Sequence, residues 1–308
     1  MDKTGTSMRD SFFDGLYDVA KRDRDVVLVS ADMNALSLDK FMRDLGGQYV
    51  DAGIAEQNAV LVAAGMAKEG KKPYVYAIAP FVTTRVHEFA KIELSLMKLP
   101  ITIVGVGAGL SYDEAGPTHH TTEDISIMRA LPKFNILSPS DAIVARRCAD
   151  ISHRSDNPSY VRLDRQSLPP IYDESEAFEK GFHELKKGKD LCIVSTGNMV
   201  HNALEVQKDL KEKGRDVGLI DVHRLKPLSK EFIGVLRNYN QLVSAEEHLL
   251  EGGLGSIIAE TIVDGDLPIK LHRIGLEGYH YFYGTREEIQ EQCGLDSKSI
   301  MSRVEKFV

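Results

Sequence analysis

The sequence predicts an α/β protein of two domains, each based on a parallel sheet. Three observations carry this. Short β-rich runs alternate with helix-length segments from end to end, and strands joined by helix-length crossovers form parallel sheets with helices on both faces. Near the middle, a stretch containing Pro169-Pro170 and a cluster of acids has little periodicity and reads as a linker. The 308 residues suffice for two domains that each bury a core.

In chain order, the strand runs are 26–30, 73–78, 101–106 and 159–163, then 191–195, 217–222, 241–245 and 269–274. The expected organisation is a first domain over 1–165, a linker over 166–180 and a second domain over 181–308. Sites in open parallel sheets lie beyond the carboxyl ends of strands. In the first domain the unusual residues fall there. Ser30-Ala31-Asp32 ends the first run, Glu56 follows the short apolar segment Tyr49-Val50, Phe81 follows the second run, and the loop Gly105–His120 follows the third.

Composition narrows the function. A net charge of −8, with no Lys/Arg run interleaved with aromatics, argues against a nucleic-acid partner. The opening Met1-Asp2-Lys3-Thr4-Gly5 lacks the apolar core of a signal peptide, and no apolar run approaches the roughly 18 residues that span a bilayer. The expectation is a cytoplasmic protein with no membrane partner. Cys148, Cys192 and Cys293 form no C-x-x-C pair, so buried reduced thiols are expected rather than a disulfide framework or zinc site.

Glu56 is the most informative residue. Val60, Leu61, Ala63, Ala64 and Ala67 recur after it at helical spacing, which sets Glu56 in the first turn of a mostly buried helix. A carboxylate there is explained structurally by attraction to the positive helix end, worth about 0.3–1 kcal/mol. Local sequence alone favours that explanation, and the rest of the chain is what points elsewhere. The loop Gly105–His120 is glycine-rich and ends in His119-His120; its G-x-G-x-G opening is not continued as a nucleotide-binding loop. Its glycines suit close backbone approach to a ligand. Adjacent histidines do not share a helix face, so no metal site is assigned to them.

Taken together, Gly53-Ile54-Ala55-Glu56-Gln57, Phe81 within Pro80-Phe81-Val82-Thr83-Thr84-Arg85, Gly116-Pro117-Thr118-His119 and Leu163-Asp164-Arg165-Gln166 resemble motifs of transketolases and deoxyxylulose-phosphate synthases. Gly197-Asn198-Met199, 221–228 and Glu246-Glu247-His248 with Gly252-Gly253-Leu254-Gly255-Ser256 resemble the C-terminal domain of the same superfamily. The resemblance implies a pyrimidine-type thiamine-diphosphate-binding fold followed by a transketolase C-terminal-like domain. No Gly-Asp-Gly motif with a later Asn occurs; Gly265-Asp266 is followed by Leu267. The chain therefore resembles the C-terminal subunit of a split transketolase. An N-terminal diphosphate-binding subunit would be its partner, expected as α2β2, and would hold the cofactor's divalent metal, Mg or Ca.

The resemblance also implies roles. The cofactor is thiamine diphosphate, which supplies the difficult chemistry of two-carbon ketol transfer while protein groups orient it. Glu56 is the catalytic acid at a pyrimidine ring nitrogen, where the proton it shares favours the imino tautomer; burial would raise its pKa toward neutrality. Phe81 stacks on the pyrimidine, an aromatic contact worth about 0.5–1.5 kcal/mol beyond area burial. Asp32 approaches the cofactor near the boundary between subunits, or alternatively caps the next helix. Arg85 is a further cofactor ligand. His119 is catalytic and binds the donor ketose. Arg165 and Arg9 grip the terminal anion of a sugar phosphate or related anionic sugar. In transketolases an Asp stands four residues before the loop His, where this chain has Ala115; Glu114, or Asp113, is the candidate replacement. Gly107 likewise falls near a phosphate-binding His position of the family. The alternatives are a 2-oxo acid dehydrogenase β subunit, which shares the layout, and a non-catalytic regulatory subunit.

Overall fold

A computed structural model describes residues 7–307; the opening Met1–Gly5 read for a leader lies outside them. The strands are β1 (Val26–Ser30), β2 (Tyr49–Asp51), β3 (Lys72–Ile78), β4 (Thr102–Val106), β5 (Asn135–Leu137), β6 (Ser159–Leu163), β7 (Phe182–Lys186), β8 (Leu191–Ser195), β9 (Gly218–Val222), β10 (Arg224–Lys226), β11 (Gln241–Leu249) and β12 (Lys270–Leu276). They form a seven-stranded sheet ordered β10-β5-β6-β4-β3-β1-β2 and a five-stranded sheet ordered β12-β11-β8-β9-β7. All neighbours run parallel except β10 against β5 and β7 against β9. The wholly parallel expectation is thus corrected at two edges. The reason is local: chain entering or leaving the second domain lies back along a sheet edge without a crossover helix.

Alternation along the strands builds two cores in the first domain. On one face of the sheet, Val27, Val29, Val75, Ala77 and Ile103 pack on Ala59, Val60, Ala63 and Ala64 of the Glu56–Lys68 helix. On the other, Val26, Leu28, Tyr74, Tyr76, Val104 and Val161 meet Phe12, Phe13 and Leu16 of the Met8–Arg22 helix and Val144, Ala145 and Cys148. The Glu56 helix buries one face only. Leu61, expected inside, is 43% exposed. Of the cysteines, Cys148 and Cys192 are buried free thiols, whereas Cys293 is half-buried.

The segment after β6 is packed rather than loose. Tyr172 and Phe178 are buried in the second of these cores, the Ile171 and Tyr172 amides donate to Asp141 Oδ2, and the Tyr172 hydroxyl donates to Asp221 Oδ2 at 2.7 Å. Burial pushes the Asp221 carboxyl up to about 7. The folded state then keeps a proton that the unfolded chain has lost, so this group lowers stability as pH rises from about 4 to about 7. Glu246, also buried and raised to about 7, acts over the same window. We expect Asp221→Asn to flatten, without abolishing, the fall of stability across that window in urea titrations. An unchanged slope would remove Asp221 from it.

Among the described residues, no helix is long and apolar enough to cross a membrane.

Candidate active site

Glu56 is the first residue of its helix, preceded by Ala55, which offers no side-chain cap. The sequence thus places an acid among unpaired amides, and the carboxylate is 5% exposed. It is not isolated. Arg85 Nη1 donates to Glu56 Oε2 at 2.7 Å, and the same guanidinium lies 4.3 Å from the centroid of the Phe81 ring. Arg85 is itself 45% exposed. The buried carboxylate expected from sequence therefore has a cationic partner in this structure.

From Phe81 a chain of ring contacts continues across the site. The Phe81 and His119 rings meet edge to face at 5.2 Å, and His119 lies 5.9 Å from the Tyr112 ring. Arg165 sits 4.8 Å over the other end of this chain, on Tyr112. Arg9, whose Nη2 pairs with Asp10 at 3.3 Å, lies in the electrostatic neighbourhood of Tyr112 and Tyr76. Glu56, Arg85, Phe81, His119, Arg165 and Arg9 are thus brought into one continuous group although they span most of the first domain's sequence. Tyr112, which links His119 to both arginines, does not stand out in the sequence. An aromatic within a glycine-rich loop carries no periodic signal that marks it.

His119 Nδ1 lies 3.0 Å from Thr118 Oγ1, so that hydroxyl fixes the ring's orientation. His120 is buried and its pKa is lowered, chiefly by desolvation. Asp32 is exposed in the left-handed region (φ 52°), and its amide lies 3.3 Å from Asp51 Oδ1. The capping alternative is excluded: the next helix starts after Ala35 with no side-chain cap. Asp51 also accepts the Gly53 amide at 2.8 Å, so one carboxylate joins Asp32's turn to the turn leading into Glu56. Of the two loop acids, Asp113 is engaged, accepting from the Arg286 amide at 3.0 Å, while Glu114 is exposed. Among the described residues, no group of three or more His, Cys, Asp and Glu side chains gathers as a metal site.

Residues 4–170 match the family described as "Transketolase, pyrimidine binding domain", and residues 182–300 match "Transketolase, C-terminal domain". The chain belongs to the transketolase family. Among its relatives, an apulose-4-phosphate transketolase subunit of Phocaeicola vulgatus is 34% identical over 304 residues, covering 97% of each chain. A 6-deoxy-6-sulfo-D-fructose transketolase subunit of Clostridium sp. strain MSTE9 is 32% identical, covering 96% of this chain and 92% of that one. A solved structure described as "Split gene transketolase, inactive beta4 tetramer" superimposes with a TM-score of 0.88 at 30% identity, covering 98% of both chains. This transketolase chain thus has the two-domain layout of the split-gene transketolase chain it superimposes on.

Proposed function

We propose that this chain is the pyrimidine-holding subunit of a split, thiamine-diphosphate-dependent transketolase that moves a two-carbon ketol unit from an anionic ketose to an aldose. The observation that carries the reading is the union of a buried acid, Glu56, with a half-buried aromatic ring, Phe81, and a histidine, His119, at edge-to-face distance from it. The residues fit the cofactor's pyrimidine end. Arg85 already offers a planar donor stacked on Phe81 and bonded to Glu56, which is the pair of contacts an aminopyrimidine needs.

When bound, the cofactor supplies the electron sink that lets the ketose's carbon–carbon bond break. Glu56 holds a proton at its carboxylate oxygen against the pyrimidine nitrogen, Phe81 orients the ring, and His119 exchanges a proton with the donor's hydroxyl or carbonyl. Arg165 and Arg9 hold the far anion. Glu114 faces the acceptor, and Asp32 faces the boundary between subunits. The divalent metal and diphosphate belong to a partner chain, in an α2β2 enzyme of the cytoplasm working in carbohydrate metabolism. Leu36 and Ile54, 81% and 80% exposed near the Asp32 and Glu56 turns, are apolar surface suited to cover by another chain.

Two-carbon transfer from ketose phosphates, assayed with the chain alone and with a partner carrying Gly-Asp-Gly and a later Asn, tests this reading. Activity only in the mixture is expected. Decarboxylation of a 2-oxo acid with acyl transfer to a lipoyl group would favour the dehydrogenase alternative.

Because Arg85 occupies the contacts the pyrimidine needs, its long exposed side chain must swing aside on cofactor binding. We expect Arg85→Met to tighten thiamine diphosphate binding in the assembled enzyme by up to about tenfold, the scale of one net hydrogen bond. Weaker binding, read by calorimetry, would instead make Arg85 a direct ligand of the bound cofactor.

A further inference from the structure

The loop that carries His119 and the turn that carries Arg165 are both fastened to the second domain, the loop at the Glu247 carboxylate and the Arg286 amide, the turn at the Arg286 guanidinium, which also grips Glu247. Arg286 opens the Arg286–Cys293 helix, where a capping box between Thr285 and Glu288 fixes its backbone. Its side chain is 3% exposed. Arg286 Nη1 meets Asp164 Oδ2 at 2.7 Å, and its Nε and Nη2 meet Glu247 Oε1 and Oε2 at 3.1 and 2.5 Å. Its amide donates to Asp113 at 3.0 Å.

Each partner reaches a different part of the site. Asp164 Oδ1 accepts the Gln166 amide at 2.8 Å, which bends the chain so that Arg165 stands at the apex. Glu247 Oε2 accepts the Leu110 amide at 2.8 Å, inside the glycine loop. The loop's base is closed by the reciprocal Gly109–Thr121 bridge. Gly109 is left-handed (φ 60°), and a Cβ there would lie 2.1 Å from Glu247 Oε2. That close approach is possible only for glycine, and the doubly held carboxylate has no room to retreat. Asp113 lies in the same loop, six residues before His119.

We propose that Arg286, acting through Glu247 and Asp164, is the positioning residue that sets His119 and Arg165 relative to each other for one substrate. This rests on the transketolase reading for the substrate, but the mechanical coupling is a property of the chain alone. A lysine keeps the charge but a single ammonium cannot span two carboxylates as a planar fork does. Methionine removes the charge as well.

The test has two readouts. In the full chain, Arg286→Lys is expected to raise amide hydrogen exchange across residues 107–121 at least about tenfold, while exchange in the Glu56–Lys68 helix stays unchanged, as expected where one region opens independently of others. In the assembled enzyme the same variant is expected to lose about 10–100-fold in kcat/KM for a phosphorylated ketose, with KM raised and thiamine diphosphate affinity kept within about twofold. Arg286→Met should deepen both effects if it folds; Glu247→Gln, which keeps an acceptor for Leu110 but loses the ion pair, should reproduce the exchange effect. Unchanged loop exchange in Arg286→Lys overturns the proposal, as does a uniform rise over the whole chain, which would mark Arg286 as a stability residue only. If the wild-type pair shows no two-carbon transfer, the transketolase reading falls while the exchange result still decides the coupling.

Discussion

Glu56→Gln is expected to lower two-carbon transfer by about 10²–10⁴-fold, the usual contribution of a positioned proton-transfer group, while the assembled enzyme still forms. The glutamine is isosteric, and its carbonyl can still accept from Arg85 Nη1, which now stands 2.7 Å from Glu56 Oε2. What it loses is the ability to hold and release a proton. The competing account makes Glu56 a helix-start acid only. That account predicts a stability loss of about 0.3–1 kcal/mol and near-normal turnover. Steady-state kinetics and a urea midpoint on the same variant therefore separate the two, because they predict opposite patterns. Turnover within a few-fold of wild type would take Glu56 out of the chemistry.

Arg162→Met is expected to have the largest effect on stability. Arg162 lies in β6, an interior strand next to the central β4 of the first sheet, 2% exposed, and its Nε meets Asp124 Oδ2 at 2.7 Å with Asp124 wholly buried. Its Nη2 also donates to the Thr121 and Glu247 carbonyls at 3.1 and 3.2 Å, so it braces the end of the glycine loop and the second domain together. Removing one partner of a buried pair strands the other charge, at a cost of about 3–5 kcal/mol. Against a typical total of about 5–15 kcal/mol, that is a large fraction. Adding Asp124→Asn should recover part of the loss. It removes the stranded charge while leaving an acceptor for the Tyr160 hydroxyl, which donates to Asp124 Oδ2 at 2.7 Å. A loss below about 1 kcal/mol in the single variant, or no recovery in the double, would contradict this assignment.

Much of this molecule is legible in its sequence because its strands are apolar runs bounded by turns. The eight strand runs read from sequence all exist, with ends displaced by a few residues at most; β11 is longer because Glu246, Glu247 and His248 continue it. The strands that escape such a reading are short or polar. Asn135–Leu137 and Arg224–Lys226 have three residues each, and Phe182–Lys186 carries charge. Their pairing is set by distant neighbours, a force that local pattern does not contain.

The candidate site divides in the same way. Glu56, Phe81 and His119 stand out by motif, and the fold brings them together. Arg162 and Arg286 do not, because a charged residue inside a strand or helix reads as a solvated face until its partner is known, and Glu247 is visible within the Glu246-Glu247-His248 motif but without its partners. Arg286 and Asp113 are 173 residues apart in sequence. Arg85 is visible as a cation near Phe81, but its bond to Glu56 depends on how two separate strand ends face each other. Asp32 and Glu114, both exposed, gain meaning only beside the surfaces that cover them.

In the proposed reading this chain holds one end of its cofactor and needs a second polypeptide for the other. Calorimetric titration of thiamine diphosphate and magnesium into the chain alone, into the partner alone and into their mixture tests it most directly. Tight binding is expected only in the mixture, at one cofactor per copy of this chain, with two-carbon transfer appearing at the same ratio of the two chains. Tight binding and full transfer by this chain alone would contradict it.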